Sequence, residues 1–238
     1  MNKVYVPTTG PADWQPLLAE PEKHWKPGYS AYALATCWEK VDGLPMEVRS
    51  LFVPYFSDVE LLLAIPEYKV PLPGRGNDSQ NDLFCLLRTD DKTMAMMVEG
   101  KVEEPFDKPL SVWLAEASDN KRVRLSYLAQ TLGLKEPIPL SIWYQLLHRS
   151  ASAVITARRF GAHSAAMVVH SFSPAKTWLN EFKAFAALWN KEIEHDQMVL
   201  ITLPDGFELF LGWATGQLHD GVAPIKSLLS GTAEEKIA

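Results

Sequence analysis

Asp82, Glu99 and Lys101 are the residues whose types and spacing could do chemistry together. They fall within Ser79 to Phe106, SQNDLFCLLRTDDKTMAMMVEGKVEEPF. Two apolar runs, Leu83 to Leu87 and Met94 to Val98, flank the polar cluster Thr89-Asp90-Asp91-Lys92, which is the pattern of a β-hairpin. With the turn centred between Asp90 and Asp91, Leu83 faces Val98 and Asp82 faces Glu99. Directly opposed side chains on an antiparallel pair have Cβ atoms roughly 5 Å apart. Lys101 lies two residues beyond Glu99 and projects from the same face. Two carboxylates held this close repel unless a cation lies between them or one is protonated. A hard divalent ion, Mg²⁺ or Mn²⁺, would relieve the conflict, because such ions take oxygen ligands and often need only one or two protein carboxylates. Asp82 and Glu99 are therefore the candidate metal ligands, with Lys101 beside them.

A plainer reading stands next to this one. Glu99 and Lys101 could form a solvated ion pair of little energetic consequence, and Asp82 could serve a turn after Gly74 and Gly76. A one-residue bulge would also separate the two acids.

The elements that must position these groups follow from the rest of the chain. Residues 1–27 are rich in Pro and Trp and read as an arm over the surface. Ser30 is placed to cap a helix from Ala31 to about Val41, with Ala31, Leu34, Ala35 and Trp38 as its apolar stripe, and a short helix is expected over Met46 to Tyr55. Val59 to Leu72 reads as a strand with an edge-like second half, Ile65, Glu67, Lys69. After the hairpin, Asp119 or Asn120 can open a helix closed by Gly133, and Ser141 a longer one to Phe160. Ala165 to Val169 reads as a buried strand. A helix over Ser173 to Ile193 and a second hairpin, Met198 to Leu203 with Phe207 to Trp213, complete the order. The tail after Gly216 reads as polar and loose. The expectation is one domain: a core of about residues 30–173, an N-terminal arm over 1–27, and a C-terminal helix and hairpin over 174–216. Its class is α/β (α+β), a mixed central sheet flanked by helices.

Composition sets bounds. The 238 residues are 47% hydrophobic and 22% charged, with two cysteines, as in an ordinary globular protein. No run approaches the roughly 18 apolar residues of a membrane span, and the N-terminus lacks the apolar segment of a secretory signal. Isolated Cys37 and Cys85 in apolar surroundings read as reduced core residues, and the reading places the chain in a cytoplasm. The net charge of −6 argues against generic nucleic-acid binding. Its distribution is uneven, however: residues 121–160 hold seven Lys/Arg against one acid, Glu136. That segment could focus a positive field on one face and is the candidate surface for DNA. No membrane partner is expected, and a homo-oligomer is compatible with the sequence.

The order helix, three strands, helix, strand, with Asp82 on the second strand and Glu99-Gly100-Lys101 on the third, resembles the PD-(D/E)xK nuclease-like superfamily, whose core is restriction-endonuclease-like. The resemblance covers roughly Ser30 to Ser173. GYSAYALATCWE, SQND, VEGKVEEPF, HRSASAVITARRFGA and VHSFSP also look like the phrases of an uncharacterised bacterial family of that fold. It implies that Asp82 and Glu99 hold the metal and that Lys101 partners the attacking water. Asn81 stands where the superfamily name has Pro. Many members place a Glu on the first core helix, for which Glu39 is the candidate. Gln145 and Arg149 match loosely the Gln and its partner four residues on that some branches carry. The implied activity is Mg²⁺- or Mn²⁺-dependent hydrolysis of DNA phosphodiesters. From the basic segment itself, Arg149, Lys121, Arg122 and Arg124 are the residues expected on phosphates. His170, ending the buried fourth strand with Ser171, is a further substrate-side candidate. The alternative is a binding or regulatory protein that keeps the scaffold without catalysis.

Other chemistries find little support. HExxH, CxxC, GxSxG and phosphate-binding glycine loops are all absent from the sequence.

Overall fold

The computed structural model describes residues 8–116 and 118–218, so residues 1–7 of the expected arm and nearly all of the expected loose tail lie outside the described residues. Six strands form one mixed sheet: β1 (Val59–Val70), β2 (Ser79–Thr89), β3 (Lys92–Lys101), β4 (Ser164–Ser171), β5 (Gln197–Thr202) and β6 (Glu208–Thr215), in the order β1-β2-β3-β4-β6-β5. β1, β2 and β3 are an antiparallel meander. β4 lies parallel to β3 and β6 parallel to β4, and β5 closes the far edge antiparallel to β6. The protein is thus mixed α/β, a mixed sheet flanked by helices on both faces.

The β2–β3 register runs from Leu83↔Val98 to Thr89↔Lys92, the alignment that the two apolar runs and their polar turn predict. Alternation along these strands then sorts the core into two layers. Phe84, Ala95, Met97 and Val169 pack under α5 (Asp119–Thr131), α6 (Tyr144–Phe160) and α7 (Leu179–Ala186). Leu83, Met96, Val98 and Val168 face the opposite way, toward Leu34 and Trp38 of α2 (Ser30–Trp38), Val48 of α3 (Met46–Ser50), and Trp14. β4 is buried along its whole length, which its continuous apolar run requires of a central parallel strand. α6 crosses that sheet and ends at Gly161, in the left-handed region at φ 66, where glycine is least strained.

Several ends differ from the sequence reading: at α2, α6 and α7 a contact distant in the chain intervenes, and at α5 the cap is the neighbouring Ser118. Ser30 does not cap α2; its own N–H donates to Glu104 Oε1 at 2.7 Å. Ser118, not Asp119 or Asn120, caps α5 by accepting from Lys121 N at 3.4 Å. α6 starts at Tyr144, three residues after Ser141, because Trp143 is drawn into a bridge with Pro109. The helix expected from Ser173 begins only at Leu179, since Ser173 Oγ donates to Glu103 Oε1 at 3.2 Å and Trp178 takes a left-handed conformation at φ 72. The arm contains a 3-10 turn (Pro11–Leu17), which buries Trp14, and α1 (Pro21–His24). A single helical turn, α4 (Leu110–Trp113), follows β3. Among the described residues no helix is long and apolar enough to cross a membrane.

Candidate active site

The meander and α6 converge at one end of the sheet on a cavity of about 560 Å³. Asp82, Glu99, Lys101, Gln145 and Arg149 all line it. Extended by one residue, the β2–β3 register sets Asp82 opposite Glu99, on the face that α6 covers. Gly100 N–H donates to Asp82 Oδ2 at 2.9 Å and fixes that alignment. Gly100 itself points the other way: a Cβ there would sit 3.4 Å from Leu34 Cβ and Ser30 O, so its missing side chain lets α2 lie close against the strand.

Charge is crowded here. Lys101 Nζ donates to Glu99 Oε1 at 2.6 Å, and Arg149 Nε donates to Glu99 Oε2 at 2.5 Å. Arg149 Nη2 reaches Asp82 Oδ1 only at 3.4 Å. Glu99, Lys101 and Arg149 are buried, while the Asp82 side chain keeps 20% of its surface exposed. Burial works against an ionised Glu99, but the charges and hydrogen bonds of Arg149 and Lys101 prevail and hold its carboxyl below the usual range. Asp82 goes the other way. Burial and the adjacent Glu99 charge push it up to about 7.

Sequence reasoning missed a third carboxylate. Glu67 lies on the edge strand β1, between the pairs Pro66↔Leu83 and Tyr68↔Asn81, and so stands across from Asp82. Its backbone takes φ 53, a conformation costly for a residue with a side chain and often found where a side chain is re-aimed. Gln80 Nε2 donates to Glu67 Oε2 at 2.7 Å. Burial, then the charge of Asp82, raises its carboxyl to about 8. The Glu67 alternation with Ile65 and Lys69 was the available signal, but no local pattern sets the β1–β2 register.

Other expected site residues are placed elsewhere. Glu39 ends α2 and accepts from Thr8 Oγ1 at 2.6 Å and Trp14 Nε1 at 2.7 Å, so it ties the arm to the helix and does not line the cavity. His170 is buried on the opposite sheet face between Trp38 and Glu47, because residues one register step from Val169 point away from α6. Lys121 Nζ donates to Trp113 O at 2.8 Å, and Arg122 pairs with Asp119 at 3.1 Å. Arg124 is buried and donates to Pro73 O at 3.0 Å and Asn77 O at 2.9 Å. It braces the loop that walls the cavity. Lys121, Arg122 and Arg124 are not among the residues that line the cavity, and Arg158 and Arg159 meet Asp205 and Tyr68 at the surface.

The wall is acidic. Glu67, Asp78, Asp82, Glu99, Glu104 and Asp107 line it, against Lys101 and Arg149. Gln145 Oε1, also in the lining, is buried without a hydrogen-bond partner among the described residues. A family model described as a domain of unknown function, DUF6946, matches residues 7–218, and the chain belongs to that family. No curated protein and no solved structure matches it.

Proposed function

We propose that this cavity hydrolyses phosphodiester bonds, DNA being the expected substrate, with Mg²⁺ or Mn²⁺, in the manner of the PD-(D/E)xK nuclease-like superfamily that the chain resembles. The observation that carries the reading is the convergence of Asp82, Glu99 and Lys101 in a cavity with more carboxylates than fixed cations.

The residues fit the ion. Six lining carboxylates face two cationic side chains, and Asp82 and Glu67 are pushed up first by burial and then by the charge of a neighbouring carboxylate. The donors are hard oxygens, which suit Mg²⁺ or Mn²⁺. Lys101 and Arg149 engage both oxygens of Glu99, but a carboxylate oxygen keeps a second lone pair. Asp82 and Glu99 would hold the ion, and the orphaned Gln145 Oε1 offers a further oxygen. A bound divalent ion would supply neutralisation of phosphate charge and a water acidic enough to attack near neutral pH.

The chain's own groups do the rest. Lys101 is held by Glu99 and lies 5.1 Å from the Phe106 ring centroid, so its ammonium is fixed before any phosphate arrives. A preset positive charge in a recessed site stabilises a developing anion without reorganisation. Arg149 is set by Glu99 and, more loosely, by Asp82, and its outer nitrogen could turn to a phosphate oxygen. Unpaired Cys37 and Cys85, both buried, fit a reducing compartment, and the cytoplasm is the proposed location.

Titration calorimetry with Mg²⁺ and Mn²⁺ on wild type and Asp82→Ala tests the reading. Binding by wild type that disappears in the variant is expected. Equal heats from both proteins would remove Asp82 from any metal site. One observation favours a second reading. Arg149 bridges Glu99 and Asp82 as a resident cation, as in a scaffold that kept its charge network for binding or regulation alone. No metal binding by either protein would favour it.

A further inference from the structure

We infer that the substrate enters this site as a single unpaired nucleic-acid strand lying along two joined cavities, and not as the interior of a duplex. The inference rests on the phosphodiesterase reading and narrows it. Depth is the first reason. Glu99 and Lys101 keep only 2% and 4% of their surface, so a phosphate must leave the protein's outer surface to meet them. A duplex carries its phosphates on a stiff exterior, whereas an unpaired strand can bend into a recess. Size agrees with depth. A cavity of about 560 Å³ is of small-molecule dimensions, roughly 300–1,000 Å³. It has room for one phosphodiester and its neighbours.

The second cavity gives the route. It has about 690 Å³, shares Leu18, Ala19, Asn77, Asp78 and Gln80 with the first, and adds Pro16, Leu17, Lys69 and Gly76. Lys69 is exposed, and among the described residues its ammonium is the cation on that wall, placed for the phosphate following the scissile one. His24 and Tyr29, both half-buried, line the first cavity and offer rings for a splayed base, the usual means of holding single strands without sequence preference. Two of the cations on α5 that could follow a duplex backbone are otherwise engaged, Lys121 on a carbonyl and Arg124 on the Pro73–Asn77 loop.

Cleavage with Mg²⁺ or Mn²⁺ is compared on a linear single strand and on a covalently closed duplex circle of the same sequence. Unpairing costs a few kcal/mol, so the circle is expected to be cut about 100-fold more slowly or worse. Binding of a labelled single strand, with Ca²⁺ in place of Mg²⁺, is then followed against salt. Lys69→Glu is expected to weaken it and to lower the log–log salt slope by about 1. A circle cut as fast as the single strand overturns the inference and leaves phosphodiester hydrolysis standing. An unchanged slope in Lys69→Glu overturns the route through the second cavity. If wild type cleaves neither form, the hydrolase reading fails and this inference fails with it.

Discussion

Two buried polar clusters sit on opposite faces of the same sheet, and they solve the problem of buried polarity in opposite ways. Toward α6, Glu67, Asp82 and Glu99 share two cations and line a cavity. Toward α2 and α3, Cys37, Glu47 and His170 bring possible ligand atoms within 4.8 Å of one another, which by spacing alone could suit a metal. Hydrogen bonding decides against it. Trp38 Nε1–H, which can only donate, gives to His170 Nδ1 at 3.2 Å, so the imidazole proton sits on Nε2 and donates to Glu47 Oε1 at 3.0 Å. A metal on Nε2 would force the remaining proton against the indole N–H. Burial lowers the His170 pKa despite the Glu47 carboxylate, and burial, then Glu47, pushes the Cys37 thiol up to about 12. This second cluster has a donor for each acceptor. The first has acids left over. Grouped polar residues become a candidate site when charge stays unbalanced and a cavity reaches them.

The comparison breaks or sharpens under substitution. The largest effect is expected for Asp82→Asn, which keeps an acceptor for Gly100 N–H but loses a charge. Hydrolysis should fall about 10⁴-fold, or about 5.5 kcal/mol, measured as kcat/KM on a single strand. Activity near wild type would strip the first cluster of its special status. Next is Glu99→Gln, which leaves Lys101 and Arg149 buried without their full counter-charge. A stability loss of about 3–5 kcal/mol is expected, read from urea unfolding.

Stability against pH comes third. Asp82 and Glu67 rise from 3.8 and 4.5 when unfolded to about 7 and about 8 when folded. Between those limits the folded chain binds more protons than the unfolded one, so these two groups lower stability as pH rises from about 4 to about 8 and no further above that. A fall on the order of 2–4 kcal/mol is expected without metal, and saturating Mg²⁺ should shrink it. Asp82→Asn should flatten the profile and be more stable than wild type at pH 8, the opposite of what a structural residue does. A profile that rises over that interval in the metal-free protein would contradict the charge imbalance. The smallest effect belongs to the sealed cluster. His170→Phe leaves the Trp38 N–H buried and unpaired, at about 1–3 kcal/mol, while the Mg²⁺ dissociation constant stays where it was. A shifted constant would tie the two faces together.

Local pattern made the hairpin legible, and with it the Asp82–Glu99 pairing, because apolar alternation and a polar turn fix register between neighbours. It also gave α5, α6, β4 and the closing hairpin as elements. Helix starts differ where a distant contact intervenes, as Glu104 does at α2 and the Trp143–Pro109 bridge does before α6, and at α5 the cap is one residue earlier than Asp119. The basic segment was visible as composition, but the burial of Arg124 and Arg149 within it was not.

What the sequence determined by itself is therefore the chemistry within one strand pair: two acids opposed, a lysine beside them, and helices long enough to cover them. Only the tertiary structure decided which other groups join. Glu67 arrives through the β1–β2 register and a left-handed backbone residue, Arg149 through the crossing of α6, and Glu39 and His170 are carried off to other partners. The reason is range. Alternation and turn chemistry act over a few residues, whereas the field that perturbs a buried carboxylate is summed over every charge packed around it, however distant in the chain.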